Sequence, residues 1–329
     1  MAANLAEQQL KAKDYKSDVV SDWCPGCGDF GIVNAAQQAL AELQIPRHEM
    51  MFYSGVGCSS KSPHFMRTYG VHTLHGRSLP FAQGSKLANP DLKVIITGGD
   101  GDGYGIGAGH FLNAGRRNVD MTYIVYDNGV YGLTKGQASP TLKLGMQTKS
   151  LPMPNTNDGI NPLAIAISCG YTFVARSYAF DAKHLKKTLI AAINHKGLAL
   201  VDVLQPCPTY NNLHTKDWYA EEVEVQGTKL PRTYDIAETG YDGRVNNPND
   251  IEEVTRVKNE ALQLVQANDP RIGLGVYYQC ETPDFLERLK PNIPMLQQYA
   301  SCKMPIADAN GRPTTDLSEA YKEALTTAY

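Results

Sequence analysis

Residues 93–109 read KVIITGGDGDGYGIGAG. Residues 93–97 are a short β-branched run, which predicts a buried strand. Six glycines follow within residues 99–109. Glycine is costly inside a regular helix, but it lets backbone amides approach a phosphate closely. We therefore expect a strand, a phosphate-binding loop and the start of a helix in this segment.

The same alternation of short apolar runs with helical patterns continues on both sides. It predicts strands at residues 50–54, 121–126, 171–175 and 199–204, and helices at 29–43 (with Asp29 as N-cap), 104–116, 160–169 and 181–195. This order predicts an α/β fold with a doubly wound, mostly parallel sheet and helices on both faces. Such sheets bind ligands beyond the carboxyl ends of their strands.

The expected organisation is an N-terminal segment (residues 1–22), one main domain (23–210) and a C-terminal extension that wraps the core (211–329). In the extension, the pattern predicts a helix at 250–268, in which Glu253 completes a capping box, a strand at 274–279 and a helix at 317–327.

Composition narrows the class of protein. Hydrophobic residues make up 42% of the chain and charged residues 20%, and the net charge is -3. These values are typical of a globular protein and offer no electrostatic basis for binding nucleic acid or a membrane. Residues 1–22 lack the apolar run of a signal peptide, so we expect a cytoplasmic location. The seven cysteines then favour metal or redox use over disulfides.

Oxygen-bearing residues follow two neighbouring strands. Asp100 lies where a diphosphate would bind, and a carboxylate repels a diphosphate unless a divalent cation stands between them. Mg²⁺ takes six oxygens in octahedral geometry. Asp100, the side chain of Asn128 and the carbonyl of Val130 can supply three of them. Asp102 lies in a second Gly-Asp-Gly, and Asp100 is favoured as the ligand because it is nearer the strand end.

The glycines also permit a dinucleotide-binding interpretation. Residues 103–108, GYGIGA, match the dinucleotide fingerprint, and Asp127 lies near the expected ribose-binding position. The position of Asp100 argues against this alternative, because dinucleotide binding involves no cation to offset its charge.

Four cysteines are predicted to meet at the same edge of the sheet. Cys24 and Cys27 form a Cys-x-x-Cys turn, Cys58 follows the first strand and Cys207 follows the last. Zinc usually takes ligands with local spacing, and a thioredoxin-type pair usually follows a strand. Four thiolates from three segments fit a [4Fe-4S] cluster, so these four are the predicted ligands. Cys169 is expected to be a packed apolar residue, and Cys280 and Cys302 carry no motif.

These motifs resemble a known family. Gly-Asp-Gly followed by Asn128 resembles the motif of thiamine diphosphate enzymes. The segment YDNGVYGLTKGQ (126–137), together with Cys-Pro-Gly-Cys-Gly, Gly-Cys-Ser-Ser and Pro-Cys-Pro, resembles the β subunit of 2-oxoacid:ferredoxin oxidoreductases over about residues 15–215. The resemblance implies the thiamine diphosphate-binding fold of the phosphate-binding type.

The resemblance also assigns site residues. His75 is expected to approach the diphosphate and, with Lys61, is a candidate catalytic residue. Apart from the resemblance, Lys61, His64, Arg67 and Arg77 are basic side chains that are candidates to meet the diphosphate or a substrate carboxylate. The residues expected to contact the cofactor are Gly57, Cys58, Ser59, His75, Gly99, Asp100, Gly101, Asp102, Asn128, Val130, Gly132, Leu133 and Thr134.

The implied activity is oxidative decarboxylation of a 2-oxoacid, preferably 2-oxoglutarate, or its reverse. Acyl transfer to coenzyme A and electron transfer through the cluster to ferredoxin accompany it. A separate α subunit would carry the pyrimidine-side domain and most of the coenzyme A site, and two αβ pairs would form a heterotetramer. The alternatives are a pyruvate-specific β subunit, a thiamine diphosphate decarboxylase or synthase without redox chemistry, and a non-catalytic iron–sulfur carrier.

Overall fold

The computed structural model of the chain describes residues 9–293 and 295–314. The strands of these residues are β1 (Met50–Ser54), β2 (Tyr69–His72), β3 (Lys93–Gly99), β4 (Met121–Asp127), β5 (Val130–Tyr131), β6 (Gln137–Ala138), β7 (Phe173–Tyr178), β8 (Leu198–Leu204), β9 (Glu222–Val225), β10 (Thr228–Pro231), β11 (Thr233–Asp235) and β12 (Ile272–Gln279). Their α-helices are α1 (Asp29–Leu43), α2 (Ser78–Ala88), α3 (Ala108–Arg117), α4 (Pro162–Cys169), α5 (Ala182–Asn194), α6 (Lys216–Ala220), α7 (Ile251–Gln266), α8 (Phe285–Leu289) and α9 (Met295–Gln298).

Eight of the strands form one twisted sheet in the order β11-β12-β7-β8-β4-β3-β1-β2. Neighbours pair in parallel except β12 and β7, which are antiparallel. The predicted α/β fold with a mostly parallel sheet is confirmed. The register pairs Gly99 with Tyr126, which brings the loops after β3 and β4 to the same edge.

Helices cover both faces of the sheet. On one face α1 and α5 bury Ile32, Leu40 and Leu189 against the inward side chains of the parallel strands. On the other face α2, α3, α4 and α7 pack around a second apolar core that includes Phe111 and Val257. The central strands are buried on both faces, which explains why they read as continuous apolar runs.

Helix ends differ from the sequence prediction in three places. The helix predicted at 104–116 is broken: a π-type turn runs from Gly101 to Ile106, Gly105 is not helical, and α3 starts at Ala108. Asp29 is the first residue of α1 and not its N-cap, which is Gly28. Asp250 caps α7, but the Glu253 carboxylate accepts hydrogen bonds from the Asn246 and Asn247 amides, so no capping box forms.

The extension contributes to the sheet itself. Strand β12 pairs with β7 and thereby covers an edge that the main domain would otherwise expose, and β11 then adds to β12. The sequence predicted β12 only in part and missed β2, α2 and β11. The helix predicted at 317–327 lies outside the described residues. None of the helices in the described ranges is long and apolar enough to cross a membrane.

Candidate functional site

The carboxylate of Asp100 lies at the end of β3 and is 1% exposed. Its Oδ2 accepts hydrogen bonds from the Gly129 amide at 3.1 Å, the Thr141 hydroxyl at 2.6 Å and the Ser139 hydroxyl. Burial raises the pKa of Asp100, while the Ser139 and Thr141 hydroxyls act in the opposite direction. The loop after β4 and the Ser139–Thr141 turn are thus both joined to Asp100.

Asn128 and Val130 follow β4 and flank Gly129, whose amide bonds to Asp100; Val130 begins β5. The Asn128 Oδ1 accepts a hydrogen bond from the Val130 amide at 3.0 Å, and its backbone carbonyl accepts one from the Asn211 side chain at 2.8 Å. Asp100, Asn128 and Val130, called here the metal-ligand group, therefore share one sheet edge. Asn211 comes from the extension, so the extension holds this loop in place.

The acidic residues around the metal-ligand group fit a divalent cation. Thr141 Oγ1 lies 2.6 Å from Asp100 Oδ2 and 2.7 Å from Asp127 Oδ1, so the two carboxyl groups are close together. Burial and the Asp202 and Asp100 carboxylates raise the pKa of Asp127 well above its ordinary value. A cation bound to Asp100 would offset this repulsion, and the available oxygens are the ligands that Mg²⁺ prefers.

Asp102 occupies a different position from Asp100. It is 2% exposed, and its Oδ1 accepts hydrogen bonds from the Val56 amide at 2.8 Å, the Gly76 amide at 2.8 Å and the His75 Nδ1 at 2.7 Å. Asp102 therefore binds two loops of the protein, and His75 is partly exposed beside it. The choice of Asp100 over Asp102 as the metal ligand remains a proposal that this arrangement favours.

The four predicted cluster cysteines converge from three segments. The Cys27 amide bonds to the Cys24 carbonyl at 3.0 Å, which closes the Cys-x-x-Cys turn. The Trp23 indole donates to the Cys58 carbonyl at 2.8 Å, and Gly28 bonds to the carbonyl of Pro206, next to Cys207. We call Cys24, Cys27, Cys58 and Cys207 the cysteine group.

Three thiols of the cysteine group, those of Cys27, Cys58 and Cys207, are disfavoured as bare thiolates. Burial raises the pKa of Cys58 to about 11 and raises that of Cys27 and Cys207, and the Asp29 carboxylate adds to all three effects. Bound iron would reverse this preference, because a coordinating thiol is deprotonated by the metal's charge. The donor set thus fits an iron–sulfur cluster.

A single metal ion fits these cysteines less well. Zinc binds thiolates at about 2.3 Å, so its ligands must lie close together. Across residues 9–293 and 295–314, no three His, Cys, Asp or Glu side chains form such a group. A four-iron cluster distributes its four cysteines over several irons. The origin of the four cysteines in three separate segments suits the cluster.

Asp29 is a residue of this region whose position the sequence did not predict. It is completely buried beneath the cysteine group, and neither carboxylate oxygen has a hydrogen-bond partner among the described residues. Burial raises its pKa to about 7. Ser139, Thr141 and Asn211 were also missed, because each is distant in sequence from the residue it contacts and carries no motif.

Of the remaining residues expected to contact the cofactor, some lie at the carboxyl edge of the sheet and two lie on an exposed turn. Ser59 is buried, Gly57 has a φ of +138°, and Gly99, Gly101 and Gly132 line the same sheet edge. Leu133 and Thr134 lie on an exposed turn, where Thr134 bonds to Gln137 at 2.6 Å.

The basic candidates are spread over several places. Lys61 follows Cys58 and pairs with Asp22 at 2.5 Å, so the structure places it at the cysteine group. His64 lies near His72, Arg67 is exposed, and Arg77 donates to the Gly76 and Ile106 carbonyls. The structure does not bring these four together.

Comparisons with known proteins agree with this geometry. Residues 48–203 match the family described as thiamine pyrophosphate enzyme, C-terminal TPP binding domain. Residues 207–292 match the family described as the C-terminal part of the beta subunit of pyruvate ferredoxin oxidoreductase. The first match spans the glycines that permitted a dinucleotide interpretation, and we set that alternative aside.

Individual relatives match most or nearly all of the chain. A 2-oxoacid:ferredoxin oxidoreductase subunit beta from Sulfolobus sp is 54% identical over 92% of this chain and 96% of its own length. The 2-oxoglutarate oxidoreductase subunit KorB of Mycobacterium tuberculosis is 45% identical over 63% of this chain and 55% of its own length.

A solved structure is also similar. The 2-oxoglutarate:ferredoxin oxidoreductase from Magnetococcus marinus, with 2-oxoglutarate, coenzyme A and succinyl-CoA bound, matches with a TM-score of 0.78 and 34% identity, over 97% of both chains.

Proposed function

Since this chain belongs to the family of β subunits of 2-oxoacid:ferredoxin oxidoreductases, we propose that it holds both redox cofactors of such an enzyme. The metal-ligand group binds Mg²⁺ and, through it, the diphosphate of thiamine diphosphate. The cysteine group binds a [4Fe-4S] cluster. The family is one of oxidoreductases, and the name of the β subunit implies an α-subunit partner.

One observation carries this proposal. Val130, whose carbonyl is a candidate Mg²⁺ ligand, begins β5, and Gly132 follows two residues later. A Cβ on Gly132 would lie 3.4 Å from the Cys58 Sγ and 3.9 Å from the Cys207 Sγ. Two residues of extended chain span roughly 7 Å. The two proposed cofactor sites are therefore neighbours, joined by the short segment from Val130 to Gly132, as electron transfer between them requires.

The residues of this chain then have distinct tasks. When bound, thiamine diphosphate supplies decarboxylation of a 2-oxoacid and stabilisation of the charge that remains. Asp100 and Asn128 fix the cation, and the glycine backbone from Gly99 to Gly103 allows close approach of the phosphates. Cys27 and Cys207 are buried, so their side of the cluster site is shielded from water, while Cys24 is exposed. The electrons leave singly for ferredoxin.

We further propose 2-oxoglutarate as the substrate, with coenzyme A as acyl acceptor and a heterotetramer of two αβ pairs as the assembly. Support comes from the KorB relatives and from the Magnetococcus marinus structure, which holds 2-oxoglutarate, coenzyme A and succinyl-CoA. The more similar relatives are named only for 2-oxoacids, so pyruvate is the second candidate.

The test is anaerobic purification of the chain with its α subunit, followed by iron, sulfide, thiamine and magnesium analysis. Turnover is then measured with 2-oxoglutarate and pyruvate. We expect four irons and one thiamine diphosphate per αβ pair, higher turnover with 2-oxoglutarate, and no turnover by the β subunit alone. An iron-free protein with full decarboxylase activity would instead indicate a thiamine diphosphate enzyme without redox chemistry.

Two variants separate the cofactor sites. Cys207→Ser should lose iron and keep thiamine diphosphate, whereas Asp100→Asn should lose thiamine diphosphate and keep iron. Cys169→Ser is the matched control, because Cys169 packs against Gly115 at the end of α4 and lies outside the cysteine group. If Asp100→Asn bound thiamine diphosphate normally, the assignment of Asp100 as a metal ligand would be wrong. A wild-type αβ protein that held iron but bound no thiamine diphosphate would instead indicate a non-catalytic iron–sulfur carrier.

A further inference from the structure

Asp102 connects three loops at the carboxyl edge of the sheet. It lies in the turn after β3, and its Oδ1 accepts the Val56 amide, which follows β1, and the Gly76 amide, which precedes α2. The same oxygen accepts a hydrogen bond from His75 Nδ1 at 2.7 Å. The only ionisable hydrogen-bond partner of Asp102 within the described chain is therefore His75.

The surroundings of Asp102 leave its carboxylate little freedom. A Cβ on Gly55 would collide with both carboxylate oxygens, and one on Gly98 would lie 3.1 Å from Oδ2. Oδ2 is buried and lacks a hydrogen-bond partner among the described residues. Gly55 and Gly98 thus leave room for the Asp102 carboxylate. All of its hydrogen bonds are accepted by Oδ1, the oxygen that faces His75.

We propose that Asp102 is a positioning residue that acts on the cofactor through His75. The inference rests on the proposed function and on the expectation, from the family resemblance, that His75 approaches the diphosphate. A ring whose Nδ1 proton points at Asp102 has its Nε2 directed away from the carboxylate. A neutral ring of this tautomer would present a lone pair to a phosphate oxygen, which repels it.

The imidazolium form presents an N–H group at Nε2 instead. The Asp102 carboxylate, held at 2.7 Å from Nδ1, orients the ring so that Nε2 points away from Asp102. Asp102 therefore contributes to diphosphate binding without touching the diphosphate. This role differs from that of Asp100, which contacts the cation directly.

The test is a double-mutant cycle on thiamine diphosphate affinity. The assembled αβ protein, with its iron retained and its thiamine diphosphate removed, is titrated calorimetrically with thiamine diphosphate and Mg²⁺ under anaerobic conditions. The variants are Asp102→Asn, which keeps the shape and an acceptor oxygen but removes the charge, His75→Asn, and the double variant. We expect each single variant to weaken binding about tenfold, a usual effect for a residue that orients a ligand, and the double variant to equal His75→Asn.

The outcomes separate this inference from the proposed function. If both single variants weaken binding and their losses add, His75 contacts the diphosphate but Asp102 does not act through it. If Asp102→Asn binds normally, Asp102 has no positioning role. If His75→Asn binds normally, the proposed contact of His75 fails, and the inference fails with it, whereas thiamine diphosphate binding by the metal-ligand group stands.

A second variant covers the case in which Asp102→Asn does not fold. Gly55→Ala displaces the Asp102 carboxylate without removing its charge, because the new methyl group would occupy its position. It should weaken thiamine diphosphate binding in the wild-type background and have no effect in the His75→Asn background. Asp120→Asn is the control: Asp120 pairs with Lys86 at 3.0 Å just before β4, at the opposite edge of the sheet, and its loss should leave affinity unchanged.

Discussion

The indole nitrogen of Trp23 donates a hydrogen bond to the carbonyl oxygen of Cys58 at 2.8 Å. Trp23 also packs edge-to-face against Phe30 and Phe65, with ring centroids 5.4 and 4.6 Å apart. This one side chain therefore ties the Cys-x-x-Cys turn to the segment that carries the third cysteine of the cysteine group.

Replacing Trp23 by Phe should weaken retention of the cluster. The variant keeps aromatic packing but loses the hydrogen bond, which is worth about 1 kcal/mol. We expect the variant to assemble with iron under anaerobic conditions and to lose iron several-fold faster than wild type in air. The loss is followed by absorbance and by iron content. Trp218→Phe, in α6 of the extension, is the control and should behave as wild type. Equal loss rates for Trp23→Phe and wild type would contradict this role.

The Thr141 hydroxyl should support Mg²⁺ binding, because it lies between the Asp100 and Asp127 carboxyl groups. Removing a group that orients a metal ligand typically costs about 10–100-fold in metal affinity. We therefore expect Thr141→Val to raise the Mg²⁺ concentration needed for half-maximal thiamine diphosphate binding by at least about tenfold. Thr255→Val, on the exposed face of α7, is the matched control, and an equal effect of both variants would refute the prediction.

Arg176 and Asp202 form a buried ion pair with N–O distances of 2.8 Å, and Asp202 also accepts a hydrogen bond from the Tyr104 hydroxyl at 2.9 Å. Breaking such a pair leaves a buried charge and costs about 3–5 kcal/mol. Arg176→Met should thus lower the thermal midpoint of the assembled protein by several degrees. Arg256→Met, which breaks the exposed pair with Glu260, should cost about 0.5 kcal/mol or less and serves as the control.

His195 should make the protein sensitive to acid. It is 2% exposed, and burial lowers its pKa from the ordinary 6.5 to about 4. Between pH 6.5 and 4, His195 binds a proton more readily in the unfolded chain than in the folded one. The stability that His195 contributes is therefore present above pH 6.5 and is lost as the pH falls towards 4, by an amount on the order of 3 kcal/mol.

Replacing His195 by Gln removes this titration but keeps a partner for the Thr172 hydroxyl, which lies 2.8 Å from His195 Nε2. Between about pH 7.5 and 5 the thermal midpoint of His195→Gln should fall less than that of wild type. His214, whose pKa burial also lowers to about 4, is present in both proteins and cancels in the comparison. Parallel curves for the two proteins would show that His195 does not control acid sensitivity.

Much of this molecule could be predicted from local sequence. The β3 strand and its glycines predicted the α/β fold, and the motifs around Asp100, Asn128 and the four cysteines predicted which segments meet. These predictions succeed because a parallel sheet brings the carboxyl ends of its strands to one edge whatever the length of the connections. The boundaries of α1 and β1 agree with the structure for a similar reason, since clear periodicity and flanking polar residues mark them.

What needed the tertiary structure is the set of partners that these residues have. Ser139, Thr141 and Asn211 hold the metal-ligand group, Asp102 turns towards His75, and β12 pairs with β7. These contacts join residues far apart in the chain, and hydrogen bonding of a single serine or aspartate leaves no periodic pattern. The chemistry of the site follows from residue types that local sequence displays, whereas its orientation and charge balance follow from packing across distant segments.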